Sequence, residues 1–251
     1  MLFLAMILLA AQPLVGELVT VRRSQGTFHG FLILKTLEGK TLATGDLVQV
    51  AHQDRVTSRL TFHFRDGSLD DETAVFSQNK VFRLISDHHV QRGPAFPKPL
   101  DMLVDAATGQ ITFHDKEGKI VQTHLDLEPD VANGLPLTLL LNLDPKGSPA
   151  RLSIVAPTSK PRLVHILVTP EDEDPLFIGG VRHTATNFRI KIELGGITGV
   201  VAPMVGKEPS DIHVWILGGN APAFVKEEGQ LYEGGPVWRI EPIAPVFPRA
   251  H

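Results

Sequence analysis

Asn187-Phe188-Arg189-Ile190-Lys191-Ile192-Glu193-Leu194 is the stretch that decides the fold class. Phe188, Ile190, Ile192 and Leu194 fall on one side and Arg189, Lys191 and Glu193 on the other. A period of two is what a β-strand with one buried and one wetted face produces, and a helix does not produce it. A parallel sheet covered on both sides would instead read as continuous apolar runs. The alternation therefore predicts a mainly β protein built on a strongly curved antiparallel sheet whose inner face is filled by something apolar.

Working outward, the same half of the chain carries further strands: Leu152 to Ala156, Pro161 to Thr169, Leu176 to Gly179, Arg182 to Leu194, Asp211 to Leu217, Ala223 to Glu228 and Pro236 to Pro242. Upstream, Thr27 to Arg92 reads as a meander with turns at Leu37-Glu38-Gly39-Lys40, Gln53-Asp54, Asp66-Gly67 and Gln78-Asn79-Lys80. Within it, Leu60, Phe62 and Phe64 alternate with Thr61, His63 and Arg65. A second meander covers Asp101 to Asp126, turning at Thr108-Gly109 and Lys116-Glu117-Gly118.

Two segments break the strand pattern. Between Asp130 and Asn142 the leucines crowd together, predicting one short buried helix with Asp130 as its N-cap. Gly195 to Gly206, which contains Val200, Val201 and Met204, is apolar and glycine-punctuated. It reads either as a loop or short helix packed into the open end of the sheet, or as a mobile flap over an apolar cavity or a membrane-touching tip.

Leu2 to Ala11 is an unbroken apolar run of signal-peptide length, too short to span a bilayer as a helix. Residues 1–16 are expected to be an export signal or N-terminal anchor, 17–245 a single β-rich domain and 246–251 a disordered tail. Export places the protein in the periplasm or otherwise outside the cytoplasm. The 251 residues contain no Cys, which excludes disulfides, a catalytic thiol and Cys-held metal, so the core must suffice by itself. A net charge of −4 gives no electrostatic footprint for nucleic acid.

No catalytic motif stands out. H-E-x-x-H and G-x-S-x-G are both missing, and no His-x-His sets two ligands on one strand face. No cofactor or metal is expected. His88 and His89 are adjacent on a strand and so point to opposite faces, while His63, His114, His165 and His213 read as polar-face residues. Asp87-His88-His89 resembles the signature of the DHH phosphoesterases over three residues, but the upstream Asp motifs of that family are not reproduced. Asp70-Asp71-Glu72 and Glu171-Asp172-Glu173-Asp174 are carboxylate clusters without calcium-loop spacing, the second read as a solvated turn beside Pro170 and Pro175. Trp215, Tyr232 and Trp238 fall in consecutive elements near the C-terminus. They read as core, or as the mouth of a cavity for an apolar ligand with Arg239 at its charged end.

The run Asp211-Ile212-His213-Val214-Trp215-Ile216-Leu217, followed by Ala221-Pro222-Ala223-Phe224-Val225-Lys226-Glu227-Glu228, resembles a pattern in uncharacterised bacterial exported proteins. Those are similar in fold to the outer-membrane lipoprotein carriers LolA and LolB, in which a half-barrel surrounds an apolar cavity closed by helix. The resemblance implies a LolA-like architecture and no particular functional residue. Two functions follow as expectations: binding of a lipid, acylated chain or other amphipathic molecule in the concavity, or docking to an envelope protein partner with no ligand. A hydrolase assembled from dispersed residues is the third, weaker reading.

Overall fold

The alternation seen in the sequence becomes one sheet in the computed structural model, which describes residues 16, 18–114, 117–158, 160–178, 181–193 and 209–243, the side chain of residue 178 excepted. The first half supplies β1 (Phe28–Thr36), β2 (Thr41–His52), β3 (Arg55–Phe64), β4 (Leu69–Ser77), β5 (Arg83–Arg92), β6 (Leu100–Asp105), β7 (Gln110–His114) and β8 (Ile120–His124). After a helix, α1 (Pro136–Leu140), come β9 (Ala150–Val155), β10 (Leu163–Ile178), β11 (Val181–Glu193), β12 (Ile212–Leu217), β13 (Ala223–Gln230) and β14 (Val237–Pro242). The two strands expected over Pro161–Thr169 and Leu176–Gly179 are one strand, β10. Its pairing with β11 shifts between Pro170 and Glu173, so the acidic run 171–174 sits in a bulged strand and not in a turn.

All fourteen strands are antiparallel to their neighbours, in the order β8-β7-β6-β5-β4-β3-β2-β1-β14-β13-β12-β11-β10-β9. Each strand pairs with its sequence neighbour except at the middle, where β1 meets β14 with Leu34 opposite Ile240. If the sheet were flat, β6 and β10 would lie roughly 48 Å apart at about 4.8 Å per strand. Instead Met102 and Val104 of β6 share a core cluster with Ile166 and Val168 of β10. The sheet therefore curls until its two wings face each other, and β8 and β9 remain unpaired with one another: an open, barrel-like sheet.

What fills the gap between the wings is the chain from 131 to 143. Leu135, Leu139 and Leu140 are buried in one core cluster with Ala74, Phe76 and Phe113 from the first half of the chain and Leu152, Phe188 and Ile216 from the second. Each such leucine contributes about 2–3 kcal/mol by leaving water. The helix is shorter than Asp130–Asn142, and Asp130 does not cap it; the N-cap is Leu135, with no side-chain hydrogen bond. Gly134 takes φ +65, which a continuing right-handed helix forbids, and Pro136 then starts α1 where its missing N–H costs nothing.

Residues 131–133 run instead beside β9. Val131 bridges Ser153 in parallel, and the Ala132 amide donates to the Ser153 carbonyl at 2.8 Å. Asn133 exchanges both side-chain hydrogen bonds with the Val155 backbone, at 2.8 and 3.0 Å. This covers the β9 edge, whereas β8 is left as a short exposed edge strand. A smaller second cluster, with Leu32, Leu34, Phe62, Phe64, Phe96 and Trp238, fills the concave side around the β1–β14 pair. The segments expected to form the leader (1–16, apart from residue 16) and the flap (195–206) lie outside the described residues.

Candidate functional site

Two irregularities in the sheet decide which side chains face inward. On β4, Asp70, Glu72, Ala74 and Phe76 share one face by simple alternation, and Phe76 fixes that face as the inner one. On β5 the pairing steps from Phe76↔Leu84 to Val75↔Ser86, leaving one extra residue in the strand. A bulge of this kind reverses the parity beyond it. Leu84 is inside before it, and Asp87, His89 and Gln91 are inside after it. β13 repeats the device: pairing steps from Ile216↔Phe224 to Trp215↔Lys226, so Glu227 turns inward opposite Val214 and Ile240.

The result is a polar layer inside the sheet, made of Asp70, Glu72, Asp87, His89, Gln91 and Glu227, with apolar clusters on both sides of it. His89 Nε2 lies 2.7 Å from Asp70 Oδ1, and its Nδ1 is 3.8 Å from Glu72 Oε1. Gln91 donates from Nε2 to the Leu231 carbonyl at 2.8 Å, tying β5 to the β13–β14 turn across the concavity. Gly134 roofs the layer. A Cβ there would stand 2.6 Å from the Ala74 Cβ, 2.8 Å from Asp87 Oδ1 and 3.5 Å from Glu72 Cδ. The Asp87 and Glu72 carboxyls thus meet beneath one glycine.

Asp87 is the outlying group. It is 1% exposed, and neither carboxylate oxygen has a hydrogen-bond partner. Burial, and after it the neighbouring Glu72, push its pKa well above the ordinary carboxylate range. Glu72 is raised too, by burial opposed by His89 and reinforced by Asp70. Glu227 is pushed up to about 7, by burial and then by Glu72. For His89 burial alone would lower the value. Glu72, the Asp70 hydrogen bond and the charges of Asp70 and Asp87 outweigh it and raise the imidazole to about 9. The layer therefore holds one imidazolium among four carboxyl groups, three of them reluctant to ionise. Although Glu72 lies deep, its side chain keeps 28% of its accessible surface, so that edge of the layer is in reach of water.

The residues singled out in the sequence do not converge. Trp238 faces inward, 5.6 Å from the Phe64 ring and 6.2 Å from Tyr232, which in turn packs edge-on to Phe96. Trp215 lies on the outer face: its indole N–H donates to Asp174 Oδ2 at 2.7 Å and Lys226 Nζ sits 3.8 Å from the ring centroid. Arg239 is also outside, donating from Nε to Glu228 Oε1 at 2.8 Å. Tyr232 and Trp238 thus meet, while Trp215 and Arg239 belong to a ladder of charged and polar pairs on the convex surface. Val200, Val201 and Met204 lie outside the described residues. His88 and His89 do diverge, His88 reaching Asp101 outside at 2.9 Å.

His165 is buried, contrary to its reading as a polar-face residue. Ser153 Oγ lies 2.9 Å from Glu128 Oε2 and 3.2 Å from both Asp130 Oδ2 and His165 Nδ1. This is not a nucleophile arrangement. Asp130 meets the hydroxyl and not the far side of the imidazole, and Ser153 is fully buried. The cluster pins residues 128–130 to β9. Among the described residues no three His, Asp or Glu side chains converge closely enough to hold a metal ion.

No family model matches the sequence, and no curated protein matches it. Among solved structures the chain is similar to a β-barrel-like protein of the domain of unknown function DUF1849 from Brucella abortus, at 9% identity and a TM-score of 0.51. The match covers 88% of this chain and 97% of that one. At that identity the likeness is one of fold, and it gives the open barrel a natural counterpart.

Proposed function

We propose that this is an exported, non-catalytic protein of the cell envelope that binds an amphipathic molecule, such as a lipid or acylated chain, inside the half-barrel. The observation that carries the reading is the interior polar layer set between two apolar clusters. A sheet that served only as a scaffold would be more stable with hydrocarbon in place of an unpartnered Asp87. A molecule with an apolar body and a polar end matches that sequence of surfaces. The LolA-like resemblance and the apolar leader point the same way, toward the periplasmic side of a membrane, with peripheral membrane contact at most.

The test is native mass spectrometry of protein made with its leader and recovered from the envelope, with lipid extraction of the same sample. A shortened N-terminus and a co-purifying mass of lipid size are the expected result. A second reading, an envelope docking module with no ligand, is favoured by Leu135, Leu139 and Leu140, which already occupy much of the concavity. A ligand-free mass after gentle extraction would support it and refute the first.

A further inference from the structure

The carboxyl groups in the concavity form more than a polar lining. We propose that Asp87, Glu72 and Glu227 form a site for the cationic end of an amphipathic amine, whose alkyl part packs against the neighbouring core. This inference rests on the reading that the concavity takes an amphipathic ligand, and adds the chemistry of its polar end.

Three independent features support it. Charge is the first: His89 is the only cationic side chain in the layer, and its nitrogens are taken by Asp70 at 2.7 Å and approached by Glu72 at 3.8 Å. Asp87 feels the His89 charge but makes no hydrogen bond to it, and Glu227 faces Glu72 with no basic partner in the layer. The second is hydrogen bonding. Both oxygens of Asp87 lack a donor, although the group is 1% exposed, and a buried carboxyl in that condition costs several kcal/mol unless donors are brought to it. An ammonium brings up to three N–H donors and a compensating charge together.

Shape is the third feature. The bulges in β5 and β13 turn Asp87 and Glu227 inward from opposite wings of the sheet, whereas unbroken alternation would direct them to water. Gly134 roofs Asp87 and Glu72 with bare backbone, and any side chain there would collide with Asp87 Oδ1. An ammonium on an alkyl chain joins N–H donors for the unpartnered Asp87 oxygens to hydrocarbon for the apolar side chains beside them. The alkyl part meets Phe76, Leu135 and Val214, which flank the layer.

Binding of n-octylammonium, 1-octanol and octanoate to the full chain, measured by titration calorimetry at pH 7.5, tests the proposal. Octylammonium is expected to bind at least about tenfold more tightly than octanol, and octanoate more weakly than either. Asp87→Asn and Glu227→Gln should each remove most of the preference for octylammonium over octanol. Because Glu227→Gln removes a buried charge, the variant should fold at least as well as the parent, so its loss of selectivity cannot be ascribed to unfolding. Equal binding of octylammonium and octanol would overturn the cation site but leave the interior ligand reading intact. Failure of all three to bind would overturn both.

Discussion

Replacing Glu227 by Gln should make this protein more stable, by a margin that opens above about pH 4.5 and is nearly complete above pH 7. In the fold the carboxyl titrates near 7 against an ordinary 4.5, because burial and Glu72 disfavour its charge. A raised carboxyl pKa means that the folded state prefers the protonated form. Its stability is intact below pH 4.5 and is lost as pH rises toward and through 7. At pH 8 the ionised group costs the native state about 3 kcal/mol, and at pH 4 only about 0.2 kcal/mol. Glutamine keeps the shape and carries no charge, so urea denaturation should give the variant an advantage of about 3 kcal/mol at pH 8, or roughly 6–12 °C in Tm. At pH 4 the two proteins should coincide. The variant should still weaken between pH 6.5 and about 9, because His89 is raised over that interval and loses its stabilising charge there. Parallel pH profiles for parent and variant would refute the assignment of Glu227 to the interior layer.

Other consequences are as direct. Gly134→Ala should destabilise by about 2–4 kcal/mol, since φ +65 strains an alanine and its Cβ would collide with Ala74 and Asp87; an unchanged urea midpoint would contradict the roof geometry. Asn133→Ala removes both hydrogen bonds to Val155 and should cost about 1–3 kcal/mol, with faster amide hydrogen exchange at Val155 as the local readout. Trp215→Phe loses the bond to Asp174 and weakens the Lys226 contact on the outer face, so its effect should stay within about 1 kcal/mol; a larger loss on denaturation would place Trp215 in the core.

The sheet could be read from the sequence because its connections are short and its turns carry their own chemistry. Asp66-Gly67 turns β3 into β4 with Gly67 at φ +85, and Leu60, Phe62 and Phe64 declare their buried face without help from distant residues. The helix was overextended because the leucine pattern does not record that Gly134 adopts a left-handed conformation, which only packing under Asp87 fixes. The polar layer was hidden for a related reason. Counting by twos from Leu84 puts Ser86, His88 and Val90 inside, and counting from Phe224 puts Lys226 and Glu228 inside. The bulges that reverse both counts are set by pairing with β4 and β12. Only Asp70 and Glu72 could have been found, because they share the parity of Phe76 with no interruption. Trp215 misled because a large aromatic ring suggests a core, while here Asp174 and Lys226 engage it from the convex side.

The pairing of β1 with β14 also has a kinetic consequence. Twelve of the thirteen strand-to-strand ladders join sequence neighbours and one does not: the seam where Leu32 to Thr36 meets Trp238 to Pro242, about two hundred residues away along the chain. Local pairs close small loops and form early, whereas this one must wait until both ends of the described sheet exist. On a ribosome β1 would emerge with one edge open and remain so until β14 was made. During that interval the inner leucines of β1 would be offered to any other extended chain, which makes the seam the point at which synthesis is most exposed to mispairing.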